Sequence, residues 1–508
     1  MDAQNQSNLY AAFRSRFPAD LSAPLLTTAE GRVYTYADAE ERSAQLANCL
    51  MQLGLKPGDR LTVQVEKSVE MLWLYLATVR AGLVFHPLNT AYTNDELEYF
   101  LTNAEPSMVV CDEAKRADFE VLCQRANVPN LLTLNADGTG TLIDSAGACA
   151  ADFATAVTQP EDMACLLYSS GTTGRPKGIM LSHRNLIENA RVLVDAWGFT
   201  ADDCLLHALP VFHVHGLFVA IGCVLMSGAS MRWLPKYDVD QVLNHLPHST
   251  VMMGVPTYYT RLLAEPTFGA EQCRHVRLFI SGSAPLLADT FVEFEQRTGQ
   301  SILERYGMTE TGMNTSNPLH GERRAGTVGF PLPGVSVRIV GNDGEVLGPG
   351  EVGDLQVKGA NVFSGYWKMP EKTAEDFSDD GFFITGDKGM IDEDGYVAIV
   401  GRAKDMVICG GLNVYPKEIE LLIDELPGVV ESAVIGLPHD DFGEAVAAVI
   451  VAEPGSQLSE ADVKQHVKAH AANFKIPKQV FFVDSLPRNT MGKVQKNILR
   501  ATYGPDKS

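Results

Sequence analysis

The chain has 508 residues, 63 of them acidic and 41 basic, for a formal net charge of −22. That balance excludes a general nucleic-acid footprint and docking on an anionic membrane. It leaves room for a local basic pocket that takes an anionic small molecule. At roughly 100–200 residues per domain the length allows two to four domains. The nine cysteines include no C-x-x-C pair, which points to a reduced compartment without a disulfide framework or zinc ribbon. The N-terminus has no continuous apolar stretch of the secretory kind, and the most apolar run, Leu217 to Met226, is too short to cross a bilayer. The expectation is a soluble, cytoplasmic protein.

In chain order, an amphipathic run from Tyr36 to Leu53, ended by Gly54, predicts a helix. Arg60 to Val65 reads as a strand, Ser68 to Ala81 as a second helix closed by Gly82, and Phe85 to Asn89 as strand into loop. Strand and helix in alternation predict parallel sheet covered by helices. Asn135 to Ala148, small and polar, reads as a surface loop. From Val335 to Val357 short alternating runs separated by GNDGE and GPGEVG predict a hairpin-rich β unit. Beyond Gly401-Arg402-Ala403-Lys404-Asp405 the pattern changes to helix, two strands and helix, enough for a small separate α+β domain. The predicted class is therefore α/β multidomain. A large domain of helix-covered sheets plus a small β unit spans 1–402, and a small C-terminal domain spans 403–508.

One segment raises a chemical question. Leu166-Leu167-Tyr168 runs into Ser169-Ser170-Gly171-Thr172-Thr173-Gly174-Arg175-Pro176-Lys177-Gly178. Glycines there let backbone N–H groups close around an anion, and hydroxyls and Lys177 add donors. It is neither a Walker A loop nor a dinucleotide G-x-G-x-x-G. On composition alone a polar hairpin remains open.

The segment resembles the phosphate loop of the acyl-adenylate-forming superfamily, which includes AMP-binding acyl-CoA synthetases, firefly luciferase and peptide-synthetase adenylation domains. The resemblance continues in order along the chain. Tyr306-Gly307-Met308-Thr309-Glu310 is similar to the superfamily's Y-G-x-T-E, and Ile384-Thr385-Gly386-Asp387 to its T-G-D. Gly401 to Asp405 is similar to its hinge, and Pro487 to Lys493 to its C-terminal lysine motif. Five motifs in order over some 330 residues are far more specific than any one alone.

The resemblance implies a mobile C-terminal domain and two half-reactions in one site: carboxylate plus ATP to acyl-AMP and pyrophosphate, then attack by the thiol of CoA. It implies that Ser169, Ser170, Gly171, Thr172, Thr173, Gly174 and Lys177 hold the phosphates, and that Glu310 binds Mg²⁺, whose chemistry suits carboxylate plus phosphate oxygens. Tyr306 would stack on adenine, flanked by Gly307, Met308 and Thr309. Gly282, Ser283 and Ala284 would line the base. Asp387 and Arg402 would take the ribose hydroxyls. Lys493 would reach the acyl carboxylate and α-phosphate, where a cation between two anions orients and stabilises. Lys496 would be a solvated lysine. Lys404 marks the hinge, and Gly410-Gly411 the approach of the pantetheine arm. Acetylation of Lys493 would remove its charge, so an acetyltransferase and deacetylase are candidate partners.

Substrate choice falls to Leu209 to Gly216, where His213 borders the acyl site, and to the wall from Gly254 to Arg261. Arg305 precedes the Tyr of Y-G-x-T-E, where most relatives carry glycine or an apolar residue. A guanidinium in an acyl pocket is costly unless it meets an anion. With Arg261 and Ser283 it suits a second carboxylate. The run RYGMTETGMNTSNP…GERRAGTVGFPLPGV resembles the malonyl-CoA synthetase subfamily, which implies a short dicarboxylate, malonate or methylmalonate. The opposing reading is that Arg305 pairs with Glu304 or Glu310 and recognises nothing. The competing functions are a medium-chain fatty acyl- or aryl-CoA synthetase, a carrier-loading adenylation domain and a non-catalytic binding relative.

Overall fold

A computed structural model describes residues 7–169, 176–409, 412–439, 443–471, 473–489 and 492–504. Two large sheets form the body. One has seven strands, and Arg60–Gln64, Val84–Pro87, Met108–Cys111 and Asn130–Thr133 run parallel within it. At its other side Met163–Ser169 pairs antiparallel with Lys177–Ser182. The second sheet has nine strands, including the parallel set Cys204–His207, Val251–Gly254, Leu278–Ser281 and Leu303–Met308. Helices are sandwiched between them. Val69–Arg80 is buried along its whole length, which its near-continuous apolar sequence requires.

Local chemistry sets the boundaries. Thr35 and Asp38 form a capping box at the start of Tyr36–Gln52, and the Ser68 hydroxyl accepts from the Met71 N–H at the next helix. Both helices fall where the sequence places them. The stretch from Asn135 to Ala148 is not wholly loop: Thr141–Ala146 is a helix. Leu142 and Ala146 bury themselves in that turn, and two apolar side chains outweigh the polar composition around them.

The β unit is a four-stranded antiparallel sheet that includes Val335–Val340, Gly353–Gly359, Phe383–Ile391 and Val397–Arg402. Its last strand ends at Arg402, a single 3-10 turn covers Ala403–Asp405, and Val407–Cys409 opens a different, five-stranded sheet. That last sheet has its own core. Val407, Val434, Val446 and Ile450 face the helices Pro416–Asp424 and Glu460–His470, while Ala433, Ile435 and Val449 face Leu499 of Lys496–Tyr503. All nine cysteines are free.

Candidate active site

The C-terminal ends of the parallel strands converge on one cleft, as open α/β sheets do. Ser169 and Lys177 are the two rims of the antiparallel hairpin and are cross-strand partners. Ser170, Gly171, Thr172, Thr173, Gly174 and Arg175 lie outside the described residues. Lys177 stands over the Tyr366 ring at 4.1 Å and 3.7 Å from Asp376, so its ammonium is held at the cleft.

Glu310 sits in the turn between Leu303–Met308 and Gly312–Ser316, not at a helix start, and is buried. Burial pushes its carboxyl pKa up, while its own N–H and the charges of Arg402 and Lys177 pull it down. A buried carboxylate with Arg402 and Lys177 acting on it offers hard oxygens of the kind a divalent ion takes.

Asp387 and Arg402 are cross-strand partners, and the Arg402 Nε lies 2.7 Å from Asp387 Oδ1. The other Asp387 oxygen accepts from the Tyr306 hydroxyl. Tyr306, Asp387 and Arg402, separated by 81 and 15 positions in sequence, thus form one polar cluster, with Gly307 and Met308 continuing the strand behind them and Thr309 in the following turn.

Lys493 arrives from the C-terminal sheet. Neighbouring Gly492 lies beside Thr257 of the helix Pro256–Leu263. Lys493 keeps an open side to solvent, yet burial by the cleft walls lowers its pKa, followed by the Arg402 charge; Asp387 and Glu310 oppose this. Lys404, exposed in the 3-10 turn, is also shifted down, first by desolvation. Gly410 and Gly411 lie outside the described residues. Lys496 differs from expectation. It is no free surface lysine: its Nζ is 2.5 Å from Glu420, a buried acid that also accepts from the Val434 N–H. An apolar C-terminal core left that acid needing a cation, and Lys496 supplies it.

The acyl side carries the decisive geometry. Arg305 is 4% exposed, and its Nε and Nη2 have no hydrogen-bond partner among the described residues. Its guanidinium packs on Gly282, where a Cβ would collide with it, which explains glycine at that position. Desolvation pushes its pKa down to about 10. Glu304 does not neutralise it. Successive strand residues face opposite ways; Glu304 is buried with its own carboxyl pushed up to about 8, and the cation acting on it is Lys417. Ser283 holds φ +71°, a left-handed conformation that costs a non-glycine residue about 1 kcal/mol or more. Its hydroxyl lies 3.3 Å from His215 Nδ1. Ala284 follows it, partly exposed.

His213 and His215 are both kept neutral. Burial pushes His213 down to about 4, with Lys493 adding to the shift; burial and then Arg305 depress His215. The Nε2 atoms of both are buried without a partner among the described residues. His215 escaped sequence reasoning although it stands two residues from His213. The only signal was the H-x-H-G spacing. Arg261 is not brought to this cluster. It is exposed, its guanidinium 5.9 Å from the Tyr237 ring centre, because Tyr259, Leu262 and Leu263 take the inward face of that helix.

Residues 13–367 match the AMP-binding enzyme family, and residues 418–493 match the AMP-binding enzyme C-terminal domain. The chain belongs to the AMP-binding enzyme family. Among solved members it is similar to ATP-bound MatB from Rhodopseudomonas palustris, at 55% identity and TM-score 0.96, over 98% of this chain and 99% of that one. Against the apo form of the same protein the TM-score is 0.86. Two malonate–CoA ligases are also similar: that of Mus musculus, named mitochondrial, 36% identical over 92% of this chain and 87% of its own length, and that of Arabidopsis thaliana, 33% identical over 93% and 85%. Among the described residues no helix is long and apolar enough to cross a membrane.

Proposed function

We propose that this family member is an AMP-forming acid–thiol ligase that joins malonate to CoA. The observation that carries the substrate is Arg305: a buried guanidinium that, among the described residues, has two unpartnered nitrogens and no carboxylate ion pair. Such a group is uncompensated until an anion enters. Malonate supplies one carboxylate to react and a second to meet Arg305 and Ser283. The malonate–CoA ligases among its relatives support the same reading.

In the first half-reaction a malonate oxygen attacks the α-phosphorus of ATP and pyrophosphate leaves. Lys177 holds the departing phosphates, and Thr172 and Thr173 would add their hydroxyls by family resemblance. Lys493 lies between the two anions that must meet, where a fixed cation lowers their repulsion. Tyr306 orients Asp387 for the ribose, with Arg402 on its other oxygen. Glu310 would hold Mg²⁺, which supplies charge neutralisation on the phosphates. In the second half-reaction the CoA thiol attacks the acyl carbon and AMP leaves. The domain boundary at 402/403, with Lys404 in the hinge, lets the C-terminal unit turn between these steps. Neutral His213 borders the acyl carboxylate without adding charge. Arg261, on the outer face of its helix, is assigned no contact with malonate in this arrangement.

The test is pyrophosphate release with ATP, CoA and a panel of malonate, methylmalonate, succinate, acetate and octanoate. Malonate or methylmalonate should lead. Preference for acetate or octanoate would overturn the dicarboxylate reading in favour of a monoacid ligase, and silence with every acid would favour a binding relative.

A further inference from the structure

Lys67 is the least expected buried side chain in the molecule, and burial drives its pKa well below the ordinary lysine value. It is buried, and it has no carboxylate partner among the described residues. Its Nζ instead donates 2.8 Å to His207 Nδ1, 2.9 Å to the His207 carbonyl and 3.1 Å to the Leu209 carbonyl. An ammonium has three protons, so all three are used. A carbonyl only accepts, so the Gly216 carbonyl beside Nε2 places the ring proton there, and burial keeps the ring neutral, which leaves His207 Nδ1 to accept from Lys67. That proton points at the Gly216 carbonyl, 2.9 Å away. Lys67 also lies 4.2 Å from the Trp233 ring centre, which shares His207 as a neighbour.

These bonds straddle one loop. Cys204–His207 ends as a strand, Ala208–Val214 crosses the cleft floor, and His215–Ala220 re-enters as a π-helical turn. Lys67 fixes the loop's entry at Leu209, and His207 fixes its exit at Gly216. The two ends touch: a Cβ at Gly216 would strike the Pro210 carbonyl. The loop carries His213 and leads into His215, which reaches Ser283. Behind it packing is incomplete. A cavity of about 190 Å³ lies against Pro210, Val211 and Phe212, with Lys67 in its wall. Leu209 and Val211 anchor the loop in the core, and on the cleft side the directed bonds of Lys67 and His207 add to that hold.

We propose that Lys67 and His207 are positioning residues for the acyl site, a buried hydrogen-bonded clamp that sets where His213 and His215 stand relative to the bound acid. The proposal rests on the acyl-site reading above. Neither residue touches substrate. An amine without a carboxylate partner suits the task, since its three directed bonds to one loop fix geometry where a carboxylate pair would fix only itself.

The experiment compares wild type with Lys67→Met, His207→Leu and His207→Gln in malonate-dependent pyrophosphate release. Glutamine keeps an acceptor for Lys67 and a donor for the Gly216 carbonyl. Lys67→Met and His207→Leu should lower kcat/KM for malonate by about ten- to a hundredfold, the scale of an ångström's misplacement. The KM for ATP should stay within about twofold, since ATP touches none of this loop's clamp. His207→Gln should recover most of the loss. Equal losses toward ATP and malonate with no recovery by glutamine would mean a merely structural role and would overturn the proposal. So would unchanged malonate kinetics. A wild-type enzyme that prefers acetate or octanoate would instead defeat the malonate reading, and the same variants scored on that acid would still decide the clamp.

Discussion

Replacing Arg305 by leucine should push activity and stability in opposite directions. Two guanidinium nitrogens stand unpartnered, so a bound carboxylate gains two charge-assisted bonds. Losing one partner of a desolvated charged pair costs about 2–4 kcal/mol, or about 30- to 700-fold in kcat/KM for malonate. The KM for ATP should be spared. The empty site gives the opposite sign for folding. The Arg305 pKa is depressed to about 10, so folding disfavours the charged form; that penalty is present at every pH below about 10 and fades only as pH rises through it. The depression is worth about 3 kcal/mol as an upper bound. Leucine removes the charge and keeps much of the apolar stem's packing, so the ligand-free variant should be more stable by about 1–2 kcal/mol.

The assay has two parts: steady-state pyrophosphate release across malonate concentrations at saturating ATP, and thermal melting with and without malonate. Malonate should raise the melting temperature of wild type and not of Arg305→Leu. Unchanged malonate kinetics would refute the distal-carboxylate role. A variant clearly less stable than wild type in the absence of malonate would refute the claim that the charge is uncompensated in the empty site.

The two lysines near the C-terminus should separate cleanly. Lys493→Ala should abolish acyl-AMP formation while thioester formation from supplied malonyl-AMP persists, with stability changed by no more than about 0.5 kcal/mol because the side chain has an open face. Lys496→Met should do the reverse, costing about 3 kcal/mol by stranding the buried Glu420 and leaving adenylation per folded molecule intact; equal effects of both variants on the adenylation step would defeat the assignment. Glu304→Gln addresses pH. The Glu304 pKa is raised to about 8, so the native state holds a proton that the unfolded chain has lost, and wild-type stability should fall as pH climbs from about 4.5 toward 8. Glutamine should flatten that slope and leave the variant the more stable of the two at pH 8–9, as read by melting temperature across pH; parallel curves would exclude a buried neutral Glu304.

The family motifs were legible because each is local: Y-G-x-T-E and T-G-D each keep their residues within four or five positions at a strand. Helices such as Tyr36–Gln52 were legible for the same reason, their caps being encoded next to them. What sequence could not give was facing. Arg261 and Arg305 look alike in a string. One lies on the outer side of a helix, and the other points inward from a strand onto Gly282. Lys496 and Lys493 look alike too, and only the packing of Glu420 tells them apart. Lys67, His207 and Gly216 are separated by 140 and 9 positions, and nothing in either neighbourhood announces that they meet.

On the proposed reading, the acyl site would select by what it leaves unmet. An apolar pocket tells acids apart by size, and one methyl group is worth only about 1–3 kcal/mol, so it would separate malonate from methylmalonate weakly. A buried guanidinium with open donors works differently. A monoacid such as acetate leaves it unpaired and desolvated, and the complex bears that penalty as well as the missing bonds. Rejection of monoacids would therefore need no steric bulk; Gly282 stands where it does because the Arg305 guanidinium packs against it. The cost shows as an Arg305 pKa lowered by burial, and on the proposed reading a second carboxylate would offset it.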